Sequence, residues 1–415
     1  MSAFLQSVRQ AKAAMQSVLQ PTPLAENLHL SQRFGCSVLL KREDLSPVRS
    51  YKLRGAYNFF RKALADNPEL DHFVCASAGN HAQGFAWACD HFGKRGTIFM
   101  PTTTPAQKIT KTEVFGKGET EIRLVGDIFD ECNTAAIEFA ESVGAAFVPP
   151  FDHLDIIEGQ ATVALEMLEQ EPAIDILLLP VGGGGLSAGV IQVFADFSPS
   201  TKILLVEPAE AASLHAALNA GERVKLATLS NFVDGAAVAQ IGRANYQVLA
   251  DHDPAAMVLV PETRLCTTII EMLNIEGIVL EPAGALTIDA LTDLDPNELK
   301  GKKVVCLTSG GNFDFERLPE VKEKALKYSG LKKYFILRLP QRPGALKDFL
   351  SLLGPDDDIS RFEYMKKSAR NFGTILIGLE TSSAENFADF EHRMTNNGFG
   401  FQDITDNDIL SNLII

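Results

Sequence analysis

At 415 residues and 45.1 kDa the chain is too long for one ordinary domain, and two or three are expected. Apolar residues make up 46% and charged residues 22%, so a large core can form. A formal net charge of -15 argues against an electrostatic nucleic-acid surface or attachment to an anionic membrane.

"FLQSVRQAKAAMQSVLQ" has helical apolar spacing and stops at "PTPL". "SVLLKRED" predicts a strand. "SPVRSYKLRGAYNFF", residues 46–60, then sets Lys52 next to an aromatic residue and just before Arg54-Gly55. On a surface helix that lysine is a solvated charge; in a buried cleft it is a nucleophilic amine. From residue 73 a pattern repeats. "FVCAS", "GTIFMP", "TEIRLVG", "IDILLLPVG", "TKILLVEP" and "KKVVCLTSGG" predict strands. "AGNHAQGFAWACDHFG", "PAQKITKTEVFG", "IFDECNTAAIEFAESVG", "GLSAGVIQVFADF" and "AASLHAALNAG" predict helices between them. Near-continuous apolar strands alternating with helices indicate parallel sheet covered on both faces, with ligands beyond the carboxyl ends of the strands.

From residue 332 the pattern changes. "KKYFILRLP" predicts a strand, "RPGALKDFLSLLG" a helix, and "DISRFEYMKK" and "FGTILIGLETS" two strands joined by the tight "SARN". "AENFADFEHRMTNNGF" is a helix and "GFQDITDN" a weak last strand, giving a ferredoxin-like β-α-β-β-α-β unit. It holds no catalytic cluster, so a binding or regulatory role is expected. The six cysteines, Cys36, Cys75, Cys89, Cys132, Cys266 and Cys306, match no metal spacing and suit free thiols in a reducing compartment. With no secretory pattern and no apolar run long enough to span a bilayer, a cytoplasmic protein is expected.

Three loops fall at strand ends. "VGGGGLSAG", residues 181–189, opens a helix; its glycines allow close backbone approach and its N–H groups favour an anion such as a phosphate. "SAGNHAQG", residues 77–84, can also bind an anion through Ser77, Asn80 and backbone N–H groups, and His81 is either a structural histidine or a base. "TSGGN", residues 308–312, offers the Ser309 hydroxyl. Gly183, Gly185 and Ala188 also satisfy G-x-G-x-x-A, with Glu207 ending the next strand, so an NAD-dependent oxidoreductase is a rival reading.

In this order "KREDLSPVRSYKLRGA", "SAGNHAQG", "VGGGGL" and "TSGGN" resemble the pyridoxal-phosphate-dependent serine/threonine dehydratases across residues 20–320. The tail with "KYFILRLPQRPGALKDFL" resembles the single ACT-like regulatory domain of short-form biosynthetic members of that family. The resemblance implies fold type II, tryptophan-synthase-β-like, with two open parallel-sheet subdomains and a C-terminal α+β ACT-like domain. It implies a catalytic domain at 1–325, with a smaller subdomain at roughly 50–150, and a regulatory domain at 332–415. Lys52 is then the lysine that carries pyridoxal 5'-phosphate through an imine and afterwards removes the α-proton. Gly182, Gly183, Gly184, Gly185 and Leu186 cradle the cofactor phosphate, Asn80 reaches the ring hydroxyl, and Ser309 reaches the ring nitrogen. Ser77, Ala78, Gly79, Asn80 and His81 surround the substrate carboxylate.

The implied reaction is α,β-elimination converting L-threonine to 2-oxobutanoate and ammonia, with isoleucine, and also valine, as effector, in a homotetramer. A serine-preferring or catabolic relative, and an amino-acid sensor with an inactive catalytic domain, are the alternatives. Related racemases hold a divalent cation near "VEP" with a Glu and an Asp six residues on; here Glu207 matches but Ser213 stands at the Asp position, so no metal is expected. Tyr51 is expected to pack beside the cofactor, and Glu281 near its ring or as a structural carboxylate. Glu158 stands where the family carries a small residue.

Overall fold

Two separate sheets share residues 2–313 of the computed structural model, which describes residues 2–365 and 372–407. The strands there are, in chain order, β1 (Leu24–Glu26), β2 (Ser37–Arg42), β3 (His72–Ala76), β4 (Arg95–Met100), β5 (Thr120–Leu124), β6 (Ala146–Phe147), β7 (Ile176–Pro180), β8 (Lys202–Pro208), β9 (Val258–Val260) and β10 (Lys303–Thr308). The larger sheet has the order β1-β2-β10-β7-β8-β9 and the smaller β5-β4-β3-β6. Every pairing is parallel except β1 with β2. β10, last in the chain, is inserted between β2 and β7: Val304 pairs with Val38 on one side and Ile176 on the other.

The strand sequences explain their places. β7, "ILLLP", is buried at every residue, as a strand covered on both faces must be. In the smaller layer Phe60 stacks on Phe73 at 3.9 Å between ring centroids, and Phe85 meets Phe60 edge-on at 5.6 Å. Each such buried ring contributes roughly 1.5–3 kcal/mol. Phe60 belongs to the helix Lys52–Asp66, which therefore shares the core of the smaller sheet. The same helix also packs on the helix Leu154–Gln170, which buries every residue from Ile156 to Met167. At the crossing a Cβ on Gly159 would stand 2.5 Å from the Arg54 carbonyl oxygen, and one on Gly55 would stand 2.3 Å from Gln160 Nε2. Glycine is required on both helices for this approach.

The second compact unit, Asp314–Ile415, has a four-stranded antiparallel sheet and, among the described residues, three α-helices. Its elements are the helix Leu318–Tyr328, β11 (Lys332–Pro340), the helix Ala345–Leu350, β12 (Asp358–Met365), β13 (Phe372–Glu380), the helix Glu385–Asn396 and β14 (Gly400–Asp403), in the sheet order β12-β13-β11-β14. Phe335, Leu337, Ile375 and Ile377 from the sheet pack against Phe349 and Phe390. The helix from "RPGALKDFLSLLG" is shorter than expected. Gly344, at φ +84°, precedes it, and past Leu350 the backbone closes tighter turns, Leu352 N donating to the Phe349 carbonyl at 2.9 Å while Arg393 Nε donates to the Leu352 carbonyl at 2.7 Å. The expected "SARN" turn, residues 368–371, lies outside the described residues. Among the described residues no helix is long and apolar enough to cross a membrane.

Candidate active site

Lys52 is the first residue of the helix Lys52–Asp66 and lies at the carboxyl end of the larger sheet. The loop before it is held against the loop after β10. Tyr51 N donates to the Ser309 carbonyl at 3.1 Å, Gly311 N donates to the Arg49 carbonyl at 2.9 Å, and Ser50 bridges Gly310. Arg49 adopts φ +58°, the left-handed region a long side chain rarely takes, so the chain is strained one turn before the lysine. Lys52 Nζ donates to the Pro150 carbonyl at 3.0 Å. Though only half-buried, the ammonium is so crowded by protein that loss of water pulls its pKa down to about 8, against the opposing pull of Glu281.

Pro150 leads directly to the glycine loop. The next residue, Phe151, lies against it: a Cβ on Gly183 would meet the Phe151 ring at 2.2 Å, and one on Gly185 would meet the Phe151 carbonyl oxygen at 2.8 Å. Gly184 has φ +90° and precedes the helix Gly185–Phe197. The Gly183 carbonyl is turned outward, accepting from Gly242 N at 3.1 Å and from the buried Asn245 Nδ2 at 2.7 Å. Asp152 caps the helix Arg243–Leu249, which carries Asn245, through Arg243 N and Ala244 N at 2.7 and 2.8 Å. A loop without side chains, opening a 13-residue helix and turned by its carbonyl, is a cradle for a phosphate.

Asn80 begins the helix after β3, from the smaller sheet, and Glu281 precedes the helix Pro282–Asp289 on the larger. Asn80 Nδ2 donates to Glu281 Oε1 at 2.6 Å, and Asn80 Oδ1 accepts from Asn312 Nδ2 at 2.7 Å. Burial, then the nearby charge of Asp234, pushes the Glu281 carboxyl up to about 7. Gly310 is the spacer here, since a Cβ would stand 2.2 Å from Glu281 Oε1. Ser309 Oγ, buried, reaches the Ala283 carbonyl at 3.1 Å. Lys52, Asn80, Ser309 and Gly182–Gly185 thus border one cleft between the two sheets. The donors, the side-chain-free cradle and an amine whose pKa is lowered by burial fit pyridoxal phosphate.

Ser77, Ala78 and Gly79 form the turn between β3 and the helix Asn80–Phe92, with Gly79 N on Ser77 Oγ at 3.1 Å. First-turn N–H groups there lack intrahelical acceptors. His81 is buried, and Nε2 donates to the Val148 carbonyl at 3.0 Å. Burial and the neighbouring Lys52 charge lower its pKa to about 3, so the ring is neutral. Glu207 is turned away from the glycine loop, accepting from Leu214 N and His215 N at 2.8 and 2.9 Å. Glu158 pairs with Lys62 at 2.9 Å, which ties the Lys52 helix to the helix Leu154–Gln170. Among the described residues no group of three His, Cys, Asp or Glu side chains could hold a metal.

Sequence reasoning missed Pro150, Phe151, Asp152 and Asn245. They act through a carbonyl, a ring face and two caps, none of which makes a motif.

Residues 15–310 match the family described as pyridoxal-phosphate dependent enzyme, and residues 323–414 match the C-terminal regulatory domain of threonine dehydratase. The chain is 44% identical over 412 residues to "L-threonine dehydratase biosynthetic IlvA" of Bacillus subtilis (strain 168), covering 98% of this chain and 96% of that protein. It is 41% identical over 414 residues to the protein of the same name from Staphylococcus aureus (strain NCTC 8325 / PS 47), covering 98% and 97%. Among solved structures it resembles the processed form of threonine deaminase isoform 2 from Solanum lycopersicum, with a TM-score of 0.72 and 38% identity over 78% of this chain and 93% of that one.

Proposed function

The chain belongs to the biosynthetic threonine dehydratases, pyridoxal-phosphate-dependent lyases with a C-terminal regulatory domain, and from that premise we propose how its residues share the work. The reaction is α,β-elimination of water from L-threonine, ending in 2-oxobutanoate and ammonia. This replaces the oxidoreductase reading of the G-x-G-x-x-A match.

The bound cofactor supplies an electron sink that makes the substrate α-proton acidic. Every other task falls to the chain. Lys52 anchors the cofactor and, once its amine is freed, accepts the α-proton at Nζ. Its lowered pKa keeps a share of that amine unprotonated near neutrality. Gly182, Gly183, Gly184, Gly185 and Leu186 present N–H groups to the phosphate. Asn80, steadied by Glu281 and Asn312, donates to the ring hydroxyl. Ser309, whose hydroxyl rests on the Ala283 carbonyl, would offer its single hydrogen to the ring nitrogen. Ser77, Ala78, Gly79, Asn80 and His81 face the substrate carboxylate, and His81 stays neutral there.

The observation that carries this reading is the Lys52–Pro150 hydrogen bond, because Pro150-Phe151 joins the lysine to the glycine cradle. Borohydride reduction of the holoenzyme followed by peptide mass spectrometry tests it. The cofactor is expected on Lys52, and an adduct on another lysine rejects the assignment.

The regulatory unit has a cavity of about 460 Å³, ample for one amino acid. Leu339, Leu346, Leu350 and Tyr364 give it apolar lining, and Arg342 and Lys347 line it as well. An aliphatic side chain with an α-carboxylate suits that lining, so isoleucine, and valine behind it, is the assigned effector. A chain ending near residue 325 is expected to keep turnover and lose isoleucine inhibition; surviving inhibition rejects the site. The domains are taken as 1–325 and 332–415, with the segment from Asp314 joining them although it groups with the second compact unit, the assembly as a homotetramer, and the compartment as the cytoplasm. All six cysteines are free and buried, which supports a reducing compartment.

A further inference from the structure

Two residues after the lysine, Arg54 makes a side-chain cluster that the reaction does not use. A helix turns about 100° per residue, so Lys52 and Arg54 project from nearly opposite sides. Lys52 faces the cleft; Arg54 enters the core and is 1% exposed. Its guanidinium is gripped by two carboxylates. Nε and Nη2 donate to Glu43 at 2.8 and 2.9 Å, and Nη1 and Nη2 donate to Glu166 at 2.6 and 2.8 Å. Nη1 also reaches Thr162 Oγ1 at 3.1 Å. Lys41, fully buried, completes the group through Glu166 at 2.9 Å, the Thr22 carbonyl at 2.7 Å and Gln170 at 3.0 Å. Two cations and two anions therefore balance out of water. Burial alone would lower the Arg54 pKa; Glu43 and Glu166 more than reverse this.

Such a cluster is a poor way to gain stability, because desolvating four charges cancels most of their attraction. It is a good way to fix geometry, because a doubly forked guanidinium accepts one orientation. What it fixes is the lysine. Glu43 follows β2, and Glu166 lies on the helix Leu154–Gln170. The lead-in to that helix supplies the Pro150 carbonyl that receives Lys52 Nζ, and the Phe151 ring that backs the glycine loop. One continuous segment thus carries the lysine's acceptor just before the helix Leu154–Gln170 and Arg54's clamp near that helix's other end, with the Gly55–Gly159 contact between them.

We propose that Arg54, clamped between Glu43 and Glu166, is a positioning residue that sets where the Lys52 amine stands relative to the Pro150 carbonyl and the glycine cradle. The proposal rests on Lys52 being the cofactor lysine.

The test compares Arg54→Met, Arg54→Lys and the charge-balanced pair Arg54→Met with Glu43→Gln, each as the full chain with cofactor. The balanced pair leaves Lys41 and Glu166 matched, so it is expected to fold even where the single variant does not. Readouts are kcat and KM for threonine, the visible cofactor band and its pH titration, and the rate at which the apoenzyme takes up cofactor. The balanced pair and Arg54→Lys are expected to lose at least tenfold in kcat and in uptake rate, with KM within about twofold and a shifted band titration. Lysine keeps the charge but lacks the fork. Variants that are less heat-stable yet have unchanged kcat, band and uptake would overturn the proposal, as would full rescue by Arg54→Lys. Lys52→Ala serves as a separate control: if it keeps the cofactor band and turnover, the reading of the lysine fails, whatever Arg54 does.

Discussion

Asn80 and Glu281, 201 positions apart and carried by different sheets, meet at 2.6 Å across the cleft. The pair matters because burial holds the Glu281 carboxyl up near 7. The unfolded chain releases that proton near pH 4.5, so the folded apoenzyme binds more protons between about 4.5 and 7. Its stability therefore falls as pH rises through this window.

Glu281→Gln keeps an acceptor for Asn80 and cannot titrate. Its denaturation midpoint is expected to be flatter than the wild type between pH 5 and 7, and its rate profile to lack an inflection near 7. Glu281→Ala instead leaves the Asn80 amide unpaired and costs about 1–3 kcal/mol. Parallel wild-type and glutamine curves would show that Glu281 titrates normally.

The amine of Lys52 should titrate near 8 in the apoenzyme. At pH 7 about one molecule in ten then has a free base, against roughly one in 3000 for an ordinary lysine. Competitive acylation of the apoenzyme, read by mass spectrometry, is expected to show labelling at Lys52 that levels off above pH 8. A midpoint above 10 would contradict this. Lys52→Ala is expected to be colourless and without ketoacid production.

Asn245 holds the glycine loop from behind, and its loss should act on cofactor affinity. Asn245→Ala removes the side-chain donor to the Gly183 carbonyl and is expected to raise the cofactor Kd by about fivefold, since one buried hydrogen bond is worth ~1 kcal/mol. Gly183→Ala is harsher, because its methyl group would meet the Phe151 ring. Overpacking of this kind costs about 1–3 kcal/mol, and little bound cofactor is expected after purification. Equilibrium dialysis measures both.

Leu346→Arg places a long cation in the regulatory cavity. It is expected to shift the isoleucine inhibition curve by at least tenfold to higher concentration and to leave kcat without effector unchanged. A variant inhibited as the wild type is would move the effector elsewhere.

The parts of the site that read well in the sequence are those where chemistry restricts residue type. A cofactor lysine must be lysine, and a phosphate loop crowded by a phenyl ring and a helix must be glycine. The buried helix Leu154–Gln170 was not readable, since packing on all sides leaves no polar face and so no 3.6-residue period. Glu158 has a plain role as partner of Lys62, but its match lies 96 positions away in the chain. The ferredoxin-like tail was legible because its sheet has one buried face, which leaves an alternation in Phe335, Leu337 and Leu339.

The place of β10 in the larger sheet has a consequence for synthesis. A ribosome delivers β2 and β7 long before residues 303–308, yet those two strands meet only through them. Until then each keeps an open row of backbone donors and acceptors, the kind of edge that recruits stray strands and chaperones. The loop that completes the catalytic cleft, residues 308–312, arrives with the same segment. Emergence of this one strand therefore closes the sheet, and on the proposed site assignment a chain stalled short of it is expected to lack Ser309 and turnover as well as to expose two strand edges.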